Sequence, residues 1–168
     1  MAIYKEVLGA RHPGYAQSLN NLAGVLKSQG DYAAARPLDE RALAIRKEVL
    51  GERHPDYALS LNNLAVLLDS QGDYAAALPL YERALAIRKE VLGERHLKYG
   101  QSLSNLAFSQ RDDAGAASLL EKAVAIVERN LDLAAAALSE RQQMAMARTL
   151  RGFLRSHSSA NVPFGATR

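Results

Sequence analysis

The segment KEVLGARHPGYAQSLNNLAGVLKSQGDYAAARPLDERALAIR, residues 5 to 46, is followed without a gap by KEVLGERHPDYALSLNNLAVLLDSQGDYAAALPLYERALAIR, residues 47 to 88. The period is 42 residues, and a third copy opens at Lys89 with KEVLGERHLKYGQSLSNLAF. That copy loses about three residues and rejoins the register at AGAASLLEKAVAIV, residues 114 to 127. A repeat of this length is one supersecondary unit that cannot bury its apolar face alone, so successive units must stack into a solenoid. The AIY at residues 2 to 4 echoes AIR at 44 to 46, so the chain is expected to open inside the last turns of a preceding unit's second helix.

Each unit reads as two helices. The first runs from about Tyr15 to Gln29 and stops at Gly30, a residue suited to the left-handed position after a helix. Asp31 is the expected N-cap of the second, about Tyr32 to Leu50, which Gly51 ends. Unit two repeats this with Gly72, Asp73 and Gly93. Pro37 and Pro79 fall inside the second helices, where each removes a backbone hydrogen bond and is expected to bend the helix. On the first helix, Leu19, Leu22, Ala23 and Leu26 have the i, i+3, i+4, i+7 spacing of a buried face. Gln17, Asn20, Asn21, Gly24 and Ser28 then form a polar stripe. Its copies are Leu59, Asn62, Asn63, Val66, Asp69 and Ser70, and then Gln101, Ser104, Asn105 and Phe108. Ala23, Ala35 and Ala42, with their copies, sit where helix backbones come close.

Composition narrows the function. Apolar residues make up 48% of 168, mostly Ala and Leu, which favours packed helices. Cysteine is absent, which removes disulfides, thiolate metal sites and cysteine nucleophiles. No signal peptide or apolar run of membrane-spanning length is present, so a cytoplasmic location without membrane association is expected. The net charge of +3 comes from Lys and Arg interleaved with Glu, a solvated pattern rather than a nucleic-acid footprint. There is no phosphate loop, HExxH or GxSxG, so no enzyme and no cofactor are expected. His12, His54 and His96 recur at the repeat period. Adjacent packed units stand about 10 Å apart, too far for these histidines to share one zinc. They read as loop-packing residues.

The strings LNNLA, QGDYA, PLYERALAIR and KEVLGERHPDYA resemble tetratricopeptide repeats of the kinesin-light-chain type, over roughly residues 1 to 127. The pattern falls on Leu61, Leu64, Ala65, Leu68, Gly72, Tyr74, Ala77, Tyr81 and Ala84. Asp39 departs from it where unit two has Tyr81, and Leu97 replaces the loop proline. The resemblance implies an all-α, right-handed superhelical solenoid of antiparallel helix pairs, with the first helices lining a concave groove that holds an extended peptide or partner helix. An asparagine amide offers both a donor and an acceptor to a peptide backbone. Asn21, Asn63 and Asn105 are therefore expected to form a ladder along that groove, flanked by Asn20, Asn62, Lys27, Asp69 and Ser70. The alternative is that these asparagines bond to the next unit and hold the stacking. A carboxylate clamp built from several cations is not expected, since only Lys27 is available.

The array is expected to span residues 1–131, as a partial helix over 1–9 and units over about 10–51, 52–93 and 94–131. Ser139 followed by Gln142 reads as a capping box, which predicts a separate C-terminal capping helix within 132–156 that presents the stripe of Met144, Ala147, Leu150, Arg151 and Leu154 to the array end. Residues 157–168 read as a disordered tail. LDLAAAALSERQQMAMARTLRGFL also resembles the linker after the repeats in bacterial proteins that join such arrays to a CHAT-type peptidase domain. That likeness implies a regulatory repeat domain as an alternative role. Self-association through exposed array ends is a further alternative, with Asp39 and the start at Met1 pointing to the N-terminal end.

Overall fold

The computed structural model describes residues 9–110 and 113–158, with side chains at 9–110 and 114–148. The partial helix expected over 1–9 and the tail expected from 157 lie almost wholly outside these residues. The described segments are helical throughout, in three antiparallel pairs: α1 (Pro13–Ser28) with α2 (Tyr32–Leu50), α3 (Pro55–Ser70) with α4 (Tyr74–Leu92), and α5 (Leu97–Ser109) with the start of α6 (Asp113–Ser158). None of the described helices is long and apolar enough to cross a membrane.

The turns are built by repeated local chemistry. After α1, Gly30 takes φ +78°, and the amides of Gly30 and Asp31 return to the carbonyls of Lys27 and Leu26 at 3.0 and 2.9 Å. These paired bonds satisfy the last carbonyls of the helix. Asp31 then accepts from the Ala34 amide at 3.0 Å and starts α2. The three periodic histidines have a definite role. His12, His54 and His96 are N-caps whose Nδ1 accepts from the amides of Gly14, Asp56 and Lys98 at 3.0, 3.1 and 3.0 Å. Each first helix therefore begins two residues earlier than the periodicity indicates, with proline at its first position in α1 and α3. Leu97 fills that position in α5, and the histidine cap alone suffices to start the helix there.

The buried face of α1 is Ala16, Leu19, Asn20 and Ala23. This set also has i, i+3, i+4, i+7 spacing, rotated toward Asn20 from the expected one. Leu22, expected inside, is 38% exposed, while its copies Leu64 and Leu106 are buried. Leu43 of the first unit packs against the cluster that holds Leu64. The register copy of Leu43 beside Leu22 is Met1, outside the described residues.

Successive first helices touch (α1 with α3, α3 with α5), whereas α2 and α4 do not touch each other. First helices thus line the inner side of the array. The third unit absorbs its deletion in α5, which has 13 residues against 16 in α1 and α3. Register is regained in α6: Ile126 stands beside Gly100 as Ile87 stands in the cluster of Ala58, the residue that Gly100 copies.

The chain forms two compact units, residues 1–127 and 128–168. The expected break at Ser139 is absent. α6 runs without interruption for 46 residues, so Ser139 is mid-helix rather than a cap, and there is no separate capping helix in the described part. The long Ala-rich run carries the helix through, since Ala has the highest helix propensity and the sequence between Asn130 and Ser139 contains no Gly or Pro. Side chains 131–146 are all exposed.

Candidate functional site

Two surfaces of the first helices carry polar side chains, and the structure separates them. One is buried between helices and units. Asn20 donates from Nδ2 to Asp39 Oδ1 at 2.7 Å and accepts at Oδ1 from Arg46 Nη1 at 2.6 Å. Arg46 also donates to Ser60 Oγ of the next unit at 2.7 Å and to Gln17 Oε1 at 2.7 Å. Lys27 Nζ completes the cluster, 3.1 Å from Asp39 Oδ2 and 3.3 Å from the Asn63 carbonyl of the next unit. Asp39 and Arg46 are almost wholly buried. Burial pushes the Arg46 guanidinium below its usual pKa, and the charges of Asp56 and Asp39 oppose that push.

At the second junction the same frame holds different partners. Arg88 donates to Ser102 Oγ at 2.7 Å and to the Lys98 carbonyl at 3.0 Å. Leu59 stands in place of Gln17, and Tyr81 in place of Asp39. Burial alone pushes the Arg88 pKa down, with no opposing carboxylate. Asn62 is buried and accepts from Asn105 Nδ2 across the units at 2.8 Å. Asp69, the copy of Lys27, lies beside Tyr81; burial first, and then the Asp69 charge, raise the Tyr81 pKa.

The eight residues expected to line a groove therefore fall into distinct places. Asn20 and Asn62 are buried and internally bonded, because they lie one turn from Ala16 and Ala58 on the inward face. Lys27 is neutralised by Asp39 with its side chain 16% exposed. Asp69 has its Oδ1 buried, with no hydrogen-bond partner among the described residues. Ser70 is exposed, and its hydroxyl donates to the Val66 carbonyl at 2.7 Å. Asn105 is half-buried and tied to Asn62. Asn21 is exposed and accepts from Gln17 Nε2 at 2.8 Å. Asn63 is half-buried, and its side-chain amide has no hydrogen bond among the described residues.

Asp39 was legible only as a departure from the repeat. The signal that could have explained it is a paired change: Lys27 with Asp39 in unit one, Asp69 with Tyr81 in unit two. Asp39 is fully buried and does not mark an exposed array end. No three His, Asp or Glu side chains converge as a metal site among the described residues.

The repeat geometry now has a counterpart in known proteins. A sequence profile described as tetratricopeptide repeat matches residues 1–48, 18–90 and 70–129, in overlapping placements that cover most of the chain. The chain belongs to the tetratricopeptide repeat family. Among solved structures, a kinesin-light-chain-like protein from Podosopora anserina with nearly identical TPR-like repeats superposes with a TM-score of 0.65. It is 29% identical over 71% of this chain and 58% of that one. BtubC (BKLC) from P. vanneervenii superposes with a TM-score of 0.59 at 30% identity, over 80% of this chain and 52% of that one. This tetratricopeptide chain thus spans little more than half the length of these solved relatives. No curated protein matches it.

Proposed function

We propose that this tetratricopeptide array is a non-catalytic protein-interaction module that holds an extended peptide along the inner side formed by α1, α3 and α5. The observation that carries the reading is the stripe at one register of the three helices, exposed at Gly24 and Phe108 and half-buried at Val66, each three residues after Asn21, Asn105 and Asn63 respectively. Phe108 is 75% exposed, and a Cβ added at Gly24 would meet nothing within 4 Å. A large exposed aromatic ring at Phe108 and, one unit earlier on the same helix register, the half-buried Asn63 whose side-chain amide has no hydrogen bond among the described residues suit a ligand that presents both backbone and an apolar side chain. The side chains grow from Gly to Val to Phe along the stripe. The polar backbone contact therefore belongs at Asn21 and Asn63, and the apolar contact at Phe108.

The test is selection from a displayed library of random peptides, followed by affinity measurement with Asn63→Ala and Phe108→Ala. Neither side chain supports the fold, so helicity and melting stay as in the parent. Each variant is expected to weaken the selected peptides about tenfold, roughly 1.4 kcal/mol. Unchanged affinity in both variants would reject the groove.

A further inference from the structure

The first helices carry little charge. Beyond their first turns, α1, α3 and α5 hold two charged side chains, Lys27 and Asp69, near the ends of α1 and α3. The two are copies of one register, 42 residues apart. Their signs are opposite, and so is their state of pairing. Lys27 Nζ lies 3.1 Å from the buried Asp39 carboxylate and donates to the Asn63 carbonyl at 3.3 Å. Asp69 meets Tyr81 where Lys27 meets Asp39. A phenol brings no positive charge to balance a carboxylate.

Among the described residues Asp69 enters no ion pair, and its Oδ1 is buried with no hydrogen-bond partner. A carboxylate oxygen taken from water without a partner is costly, and a cation that reaches it returns part of that cost. The residue as a whole is half-buried rather than enclosed, which leaves an approach to it. The inner register thus holds one charge that its own neighbours satisfy and one that they do not.

We propose that Asp69 selects the class of peptide held along the inner side: one with a lysine or arginine seated on the Asp69 carboxylate. The inference rests on the peptide-binding reading above and adds the sign of the ligand's charge to it. Phe108 sets where the apolar residue of that peptide lies. It belongs to the neighbouring first helix, and packed helices stand about 10 Å apart. An extended chain covers that distance in about three residues. The ligand therefore carries a cation and an apolar side chain about three positions apart. Lys27 adds no second ionic contact, because Asp39 already closes its charge.

The experiment compares the sequences that a displayed library of random peptides yields on the parent, on Asp69→Asn and on Asp69→Lys. Asparagine keeps the shape of the side chain, and a lysine already stands at this register in the first unit, so circular dichroism should match the parent. The parent is expected to enrich lysine or arginine about three positions from an apolar residue. Asp69→Asn should lose the basic preference and keep the apolar one, and Asp69→Lys should take an acidic residue instead. Changing the basic residue of one selected peptide to glutamine should weaken binding to the parent about tenfold and leave binding to Asp69→Asn unchanged. The same basic preference on the parent and on Asp69→Asn overturns the inference. So does a parent without charge preference whose peptides still depend on Asn63 and Phe108, and there the groove itself stands. A library that yields nothing, or peptides indifferent to Asn63 and Phe108, rejects the groove and the inference together. Arg111 follows α5 in sequence and lies outside the described residues. A basic preference that appears only in Arg111→Gln would mean that the chain supplies its own cation, and overturns the proposal.

Discussion

The first and second junctions of the array share a backbone and an arginine, yet they satisfy that arginine differently. At the first, Asn20, Gln17 and Ser60 accept from Arg46, and Asn20 passes the contact to a buried carboxylate that Lys27 also pairs. At the second, Leu59 and Tyr81 replace the glutamine and the aspartate, and among the described residues Arg88 keeps a hydroxyl and a carbonyl as its acceptors. One frame therefore tolerates either a closed ionic network or a mostly apolar contact around a lone cation. Geometry is held by the Ala and Leu positions that both junctions share; the polar set is interchangeable provided its members change together.

The strongest way to break that comparison is Asp39→Ala. It strips the buried carboxylate, leaves Lys27 and Asn20 without their shared partner, and removes a negative charge that favours the buried Arg46. The expected loss is about 3 kcal/mol, as for breaking a buried pair, read from denaturant unfolding. Converting unit one to the unit-two solution with Lys27→Asp and Asp39→Tyr together should recover part of it. The coupling between those two changes should be on the order of 1 kcal/mol or more. Additive losses would mean the pairs do not act as units.

A second comparison uses the arginines. Arg46→Met should destabilise more than Arg88→Met, by about 1–3 kcal/mol, because it leaves the side-chain acceptors of Gln17, Asn20 and Ser60 without their donor, against one hydroxyl and one carbonyl at Arg88. Equal losses, measured by the same unfolding curves, would show that the additional acceptors around Arg46 contribute nothing at the first junction.

The smallest effect is one of pH. Tyr81 is held above the usual value of 10.0 by burial and then by Asp69. In the unfolded chain it ionises near that usual value, so above it the unfolded state loses the proton that the folded state keeps. The second junction's contribution is thus complete below about pH 10 and declines as pH rises further. Unfolding midpoints should fall less steeply in alkali for Tyr81→Phe than for the parent; parallel slopes would remove Tyr81 from the account.

Much of this was legible in the sequence. The 42-residue register, Gly30, Asp31 and Gly51 marked the helix ends because each does a local job in a turn, visible without knowing its neighbours. The site was less legible. Asn20 and Asn21 are adjacent and identical, yet one is buried and one is exposed, because a single residue step turns a helix by about 100°. Two overlapping sets in α1 have core spacing, 16-19-20-23 and 19-22-23-26, and periodicity weighs them equally. Only the packing of α2 and α3 against α1 selected the first. The histidine caps are not legible in the sequence because histidine is not a favoured N-cap residue. The continuity of α6 is not legible either, because a capping-box pattern at Ser139 does not stop a helix whose flanks favour continuing.

The sequence by itself determined the repeat, the helix pairs, their turns and the apolar register that makes the units stack, since these depend on local backbone chemistry and on period. Tertiary structure alone decided which asparagines are walls and which face outward, and that Lys27 belongs to Asp39. The reason is physical: burial and ion pairing are properties of neighbours brought together by stacking, and the residues concerned lie on different helices and, across each junction, in different units.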